Sequence, residues 1–596
     1  MKTYIYNKVK NAGRGVSRLI ILASVPFLFA SCLDTIILPD DKTVDEDFWQ
    51  TKEQVASMVN GAYAAMTSSD LLARLIVWGD FRTDEVLRYT GADVSPTTDA
   101  LDEIAAVNIQ PTNMFATWST LYNVINRCNI VLERSEAVMS IDPNYTMGDY
   151  QVDRSQMLAL RSLCYFYLVR NFRDVPYTAT AYMNSSQNRQ LAQSSPLEVL
   201  NKCIEDLEEA AKTPLSAQGV SGWRKVGWFT EDGINALLAD IYLWRASATH
   251  SQADYQQCVA YCDKVIESKR SQHVPGRNEI EKDYPLADGG DMYTALFVEQ
   301  NAEESIFEIQ TNSNMALCQY YYKYKSATGY SGSGWLKATP LFYATSSTYD
   351  KTTSISNSTL FSANDLRYYA ACYIPTSTQE SYDIRKLVTE SAVSSKKTVP
   401  LRESYNYGGF DRNYNVYRLT DVMLMKAEAL VQQVDTALTA SEQADLLRVP
   451  FTLVQAVNTR ALEDGSKGDS IKWATFRTFS KDQFEQLVLQ ERMREFCFEG
   501  RRWYDLLRYN YRHMDGVAYD KTMDQIVEGQ ESLPANSKEM LTLMTRQRGT
   551  EASGVMAKMA NEAYLYLPIP NSDILVCPLL KQNPAYESSN EYEKNY

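Results

Sequence analysis

The run Glu491-Arg-Met-Arg-Glu-Phe-Cys-Phe-Glu-Gly-Arg-Arg-Trp-Tyr-Asp-Leu-Leu-Arg508 holds a dense set of proton-moving groups: Glu491, Glu495, Glu499 and Asp505, set among arginines. Two carboxylates facing a cleft at suitable separation would serve as acid and base in glycoside hydrolysis. Glu491, Glu495 and Glu499 recur every four residues, however, with Arg494, Arg502 and Arg508 on the same or adjacent helical rows. That spacing reads as an ion-pair network fixing two helices. His250, His273 and His513 are the only histidines and stand outside any metal-ligand spacing, so neither a zinc site nor a histidine-centred triad has support. Asp288-Gly-Gly-Asp291 falls well short of a calcium ligand set. The sequence therefore predicts no obligatory metal and no cofactor.

Chemistry of binding is better represented. Between Tyr320 and Tyr343 stand Tyr320, Tyr321, Tyr322, Tyr324, Tyr330, Trp335 and Phe342, interspersed with Gly329, Gly332, Gly334 and several serines. Glycine-rich backbone cannot bury so many rings on one regular face, so some are expected at the surface. Exposed flat rings suit the apolar C–H faces of sugars, while hydroxyl, amide and carboxylate neighbours bond the sugar hydroxyls. Trp335 is the strongest candidate, with Tyr320, Tyr322 and Tyr330 beside it; the alternative is that these rings cover the scaffold. Trp49, Trp118, Trp223, Trp228, Trp244 and Trp503 lie within or beside amphipathic segments and are expected in the core.

The elements that must position these residues are helical. Apolar residues recur at helical spacing from Glu46 to Met66 and over 117–136, 152–172, 195–212, 228–248, 252–269, 414–434, 444–463 and 482–511. No comparable set of alternating strands is evident. Several helices come in pairs with small residues among aromatics, the logic of tetratricopeptide-like hairpins. Over about 270–412, and again over about 514–560, the period fades; the first stretch is rich in Gly, Ser, Thr, Asn and Tyr, and the last thirty residues, with Pro568, Pro570, Pro578 and Pro584, read as an extended strap.

The 596-residue chain carries a net charge of −15 and no basic stripe, which argues against nucleic acid as a partner. A basic segment with Lys2, Lys8, Lys10, Arg14 and Arg18 precedes the apolar run Leu19 to Ala30, and Ser31-Cys32 follows. This reads as a lipoprotein signal peptide over 1–31, with Cys32 as the lipidated residue; an ordinary secretory signal is the alternative. No later run approaches the length of a membrane span. Without Cys32 nine cysteines remain, an odd number that cannot pair completely, and Cys258 and Cys262 on one helical face read as buried thiols.

Ordered motifs along the chain resemble the SusD/RagB family of outer-membrane lipoproteins. They are Cys32-Leu-Asp, Asp47-Phe-Trp-Gln-Thr, Asn60-Gly-Ala-Tyr63, Trp118 to Asn129, Leu160 to Pro176, Tyr417 to Leu430, Glu491 to Arg508, Leu567-Pro-Ile-Pro570 and Gln582-Asn-Pro-Ala-Tyr586. The resemblance implies a mainly α fold in which four tetratricopeptide-like helix pairs form a scaffold and irregular inserts build a ligand face. It implies a tether over 32–47 and a single domain over 48–596, with scaffold at about 48–269 and 414–511, a ligand-face insert at about 270–412 and a C-terminal strap at about 512–596.

The implied function is non-catalytic binding of oligosaccharide at the exterior of the outer membrane for a TonB-dependent, SusC-like transporter. A peptide-binding lipoprotein of the RagB type and a surface glycoside hydrolase stay as alternatives. The segment Trp78-Gly-Asp-Phe-Arg-Thr-Asp-Glu-Val-Leu-Arg-Tyr89 resembles the family's stretch leading to the ligand face, which would make Asp84 an acceptor of sugar hydroxyls flanked by Arg88 and Tyr89. Equally, Arg82 could pair with Asp80 or Glu85 as a structural ion pair.

Overall fold

Thr51, Thr146, Thr439 and Ser480 each accept a hydrogen bond from the backbone three residues on, and the side chain at that third position returns a bond to the cap. Such capping boxes satisfy the amides a helix start leaves unpaired and fix where the helix begins. The computed structural model describes residues 48–88, 95–273 and 412–587 apart from 515 and 530, with shorter runs between 284 and 387. All of these fall in the unit Asp47–Tyr596.

Among the described residues, the helices of eight residues or more are α1 (Lys52–Ala65), α2 (Ser69–Ile76), α3 (Pro96–Ala105), α4 (Ser119–Val138), α5 (Met147–Phe172), α6 (Pro196–Ala210), α7 (Glu231–Thr249), α8 (Gln252–Gln272), α9 (Leu419–Gln432), α10 (Ala440–Ala461), α11 (Lys481–Phe496), α12 (Arg502–Arg512), α13 (Lys538–Thr545) and α14 (Ala552–Met559). Neighbours in sequence pack on one another: α4 on α5, α5 on α6, α7 on α8, α9 on α10. Between these pairs, α8 packs on α9 and α9 on α11, which joins the two halves of the scaffold. The fold is mainly α-helical and tetratricopeptide-like, as expected. Cys258 and Cys262 are free and buried on α8. Among the described residues no helix is long and apolar enough to cross a membrane.

Three expectations are corrected. The stretch 414–434 is not helical throughout: β6 (Tyr414–Arg418) is a buried strand pairing antiparallel with β2 (Ser305–Ile309), and α9 starts only after it. The segment 482–511 is two helices, α11 and α12, because Phe498 (φ 63°) and Gly500 (φ 74°) turn the chain between them. The stretch 514–560 contains α13 and α14, while the terminal strap also holds a short helix at Asn571–Val576. Two further ladders involve the irregular insert: β5 (Leu336–Ala338) pairs with β1 (Val86–Arg88) from the N-terminal part of the chain, and β3 (Tyr324–Ser326) pairs with β4 (Gly329–Ser331) inside the insert.

Candidate functional site

The antiparallel ladder β1–β5 joins the two segments singled out in the sequence, setting Val86 opposite Ala338, Leu87 opposite Lys337 and Arg88 opposite Leu336. Side chains alternate across a strand, so Val86, Ala338 and Leu336 share one face and are buried there. Leu87 and Lys337 share the other face and are half-buried. Trp335, two residues before Lys337, continues that outward row and is also half-buried. Lys337 and Leu87 escaped the sequence reading; the alternation in Trp335-Leu-Lys337 is the signal that would have found them.

Behind Trp335 stands Tyr320, 3% exposed, its ring edge-on to the indole at 4.9 Å between centroids. Tyr320 meets Phe115 in turn at 6.2 Å, and its carbonyl accepts the Leu336 amide at 3.0 Å. Burial pushes the Tyr320 hydroxyl up to about 12, so it stays protonated. Tyr320 is therefore a brace for Trp335 and not an exposed stacking ring, which corrects the expectation for it. Tyr330 lies in β4; Tyr322, Tyr89, Cys32 and Asp288 lie outside the described residues.

Asp84 is fully buried, against the expectation that it meets ligand. Arg502 grips both its oxygens, Nε to Oδ1 at 2.9 Å and Nη2 to Oδ2 at 3.0 Å, and Arg546 donates to Oδ2 at 2.5 Å. Burial raises the Asp84 carboxyl, but the two guanidiniums outweigh it and hold the group below the usual carboxylate range. Its backbone carbonyl accepts from Thr339 Oγ1 at 2.7 Å, and the Glu85 carbonyl accepts the Thr339 amide at 2.9 Å. Asp84 thus anchors the ladder from beneath. Arg88 turns to Asp102 on α3, Nε to Oδ1 at 2.6 Å, with 16% of its side chain exposed. Arg82 pairs with neither Asp80 nor Glu85: its guanidinium lies 3.8 Å over the Trp503 ring, and burial lowers it to about 10.

The charged run 491–508 is scaffold. Glu495 receives Arg367 at 2.9 Å, Arg418 at 2.5 Å and Arg460; Glu491 receives Arg367 at 2.8 Å and Arg494 at 2.9 Å; Glu499 receives Arg418 at 2.9 Å and Lys386 at 2.6 Å. Burial pushes Glu495 up, but Arg460, Arg418 and Arg367 together hold it well below the usual range. A carboxylate pinned by three guanidiniums has no proton to donate and no open path to one. The network reading holds, but most partners come from other elements; Arg502 and Arg508 serve Asp84 and Glu428 instead.

A cavity of about 30 Å³, lined by Tyr167, Arg170, Asp240, Arg501 and Tyr504 among others, lies inside this scaffold. It has room for about two waters and none for a sugar ring. Among the described residues no group of three or more His, Cys, Asp and Glu is placed to hold a metal ion. Of the six tryptophans expected in the core, Trp49, Trp118, Trp244 and Trp503 are buried and Trp228 is half-buried, but Trp223 is exposed.

The sequence model described as SusD family matches residues 245–586, and one described as "Starch-binding associating with outer membrane" matches 37–243. The chain is 24% identical to SusD-like protein P38 of Formosa agariphila over 503 residues, covering 82% of this chain and 90% of the relative. Among solved structures it is similar to a SusD homolog from Bacteroides thetaiotaomicron, with TM-score 0.64 at 18% identity, covering 90% of this chain and 98% of that one. It is also similar to B. fragilis NanU, with TM-score 0.57 at 18% identity, covering 92% and 100%.

Proposed function

The chain belongs to the SusD family, and on that premise we propose that it binds oligosaccharide without catalysis at the cell surface and delivers it to a TonB-dependent, SusC-like outer-membrane transporter. The observation that carries this reading is the half-buried indole of Trp335, braced edge-on by Tyr320 and set in one outward row with Lys337 and Leu87. A ring held in one orientation loses little freedom when a sugar stacks on it, and the ammonium of Lys337 can donate to sugar hydroxyls. The description of the family model matching residues 37–243, starch-binding and associating with the outer membrane, supports the same reading.

In this reading residues 1–31 are a lipoprotein signal, Cys32 carries the lipid, 32–47 is the tether and 48–596 a single domain facing the cell exterior. Asp84 and Tyr320 act as supports, and Trp335 is the contact. A RagB-type peptide ligand is the second reading; the flat indole favours sugar over it. Hydrolase activity finds no acid–base pair in the run 491–508, whose carboxylates are buried and paired.

The test is a panel of purified oligosaccharides and peptides, measured against the detergent-solubilised full-length protein for both binding and product release. Binding of a glycan without release of shorter products is the expected result. Product release, or binding confined to peptides, overturns the proposal.

A further inference from the structure

Far along the sequence from the ladder, the connection between α6 and α7 presents a second aromatic arrangement. Trp223 is 42% exposed, the one tryptophan among the exposed large apolar residues described. Its ring stands edge-on to Trp228 at 6.0 Å and 80°, and Trp228 stacks over Tyr63 at 6.4 Å and 26°. The Tyr63 hydroxyl accepts the Phe229 amide at 3.0 Å, which ties this tyrosine to the chain just beyond Trp228.

The exposed indole is held in place by backbone. The Gly227 amide donates to the Trp223 carbonyl at 2.7 Å. A Cβ on Gly227 would come within 2.7 Å of Trp223 Cε3 and 2.6 Å of Gln310 Cγ, so the ring edge rests directly on the glycine backbone. The Arg224 guanidinium lies against both indoles, 5.0 Å from the centroid of Trp223 and 5.1 Å from that of Trp228. Arg224 and the following Lys225 are both exposed. In a chain of net charge −15 this is a local reversal of sign on an aromatic surface.

We propose that Trp223, Trp228 and Arg224 form a second saccharide site, specific for an anionic sugar bearing carboxylate or sulfate. This rests on the reading of the protein as glycan-binding. The indole offers an apolar face to the sugar ring, and the guanidinium offers paired N–H donors to the anionic group. Cation–π contact with two rings fixes the guanidinium before the ligand arrives, so less freedom is lost on binding. Trp335, with Lys337 beside it, has no such fixed guanidinium described against its ring.

Calorimetric titration of the detergent-solubilised full-length protein tests this with three probes: an oligogalacturonate for the carboxylate, a carrageenan oligosaccharide for the sulfate, and a malto-oligosaccharide as the neutral control. At least one acidic probe is expected to bind, with an affinity that falls as salt is raised. Trp223→Ala and Arg224→Gln are each expected to weaken that probe about tenfold or more, Arg224→Gln with the melting temperature unchanged and Trp223→Ala with only the modest fall that losing its edge-on contact with Trp228 brings; Trp335→Ala should leave this binding in place. If both variants bind the acidic probes as wild type does, or if neither acidic probe binds wild type, the second site is overturned. Neutral binding lost in Trp335→Ala alone would then leave the glycan-binding reading standing, whereas failure of all three probes with peptides bound would remove both.

Discussion

Asp84 and Arg502 meet as a two-point ion pair 418 residues apart in the chain, at 2.9 and 3.0 Å, with the carboxylate fully buried. Removing one partner of a buried pair strands the other charge, at about 3–5 kcal/mol. Asp84→Asn should therefore lower the melting temperature sharply, while ligand affinity measured on the folded fraction stays close to wild type. Loss of affinity without loss of stability would return Asp84 to the binding face.

Glu495 is the meeting point of Arg367, Arg418 and Arg460. Glu495→Gln leaves three buried guanidiniums short of a counter-charge, and a loss of about 3–5 kcal/mol is expected in chemical denaturation. Were the residue a catalytic acid, the variant would melt normally and lose an activity instead.

Glu85 gives a pH signature. Burial raises its carboxyl well above the ordinary 4.5, and the charges of Asp80 and Asp84 add to this against Arg502. A folded value above the unfolded one means the protonated form favours the fold. That contribution is complete below pH 4.5 and is lost as pH rises through the folded value. Glu85→Gln stays neutral throughout, so its melting temperature should gain on wild type as pH rises from 4.5 to neutrality. A difference between the two proteins that is constant with pH would refute the assignment.

Trp335 is half-buried, so its truncation touches both binding and packing. Stacking a sugar face on the indole removes some tens of Å² from water, on the order of 1–2 kcal/mol at about 25 cal/mol per Å². Trp335→Ala should weaken glycan binding roughly tenfold or more. Lost contact with Tyr320 adds a modest stability cost, about 1 kcal/mol. A large fall in stability with affinity preserved would make Trp335 a packing residue.

Cys32→Ala should abolish lipidation and release the protein to the aqueous fraction. Retention of the variant in washed membranes, extractable only with detergent, is the contrary outcome.

The helices α4 to α8 were legible because each keeps an apolar stripe at helical spacing that no neighbour overrides. The turn at Phe498 and Gly500 was not. It is imposed by a distant partner: a Cβ on Gly79 would come within 2.0 Å of the Gly500 carbonyl, so the two backbones touch. Strand β6 read as a helix start because Val416 and Leu419 fit the stripe, while its pairing with β2 has no local mark. Trp335 could be found from glycine-rich surroundings. The burial of Asp84 could not, since Arg502 and Arg546 stand 418 and 462 residues away.

The ladder beneath Trp335 also sets when the proposed binding face can exist. The bond from Thr339 Oγ1 to the Asp84 carbonyl joins residues 255 apart. Closing a loop of that length costs about 5 kcal/mol of chain entropy, which only the assembled scaffold can offset. Contacts of such separation form late. A chain that has formed only its first helices has no β1–β5 ladder, so under the proposed function a partly folded molecule lacks the platform that carries Trp335.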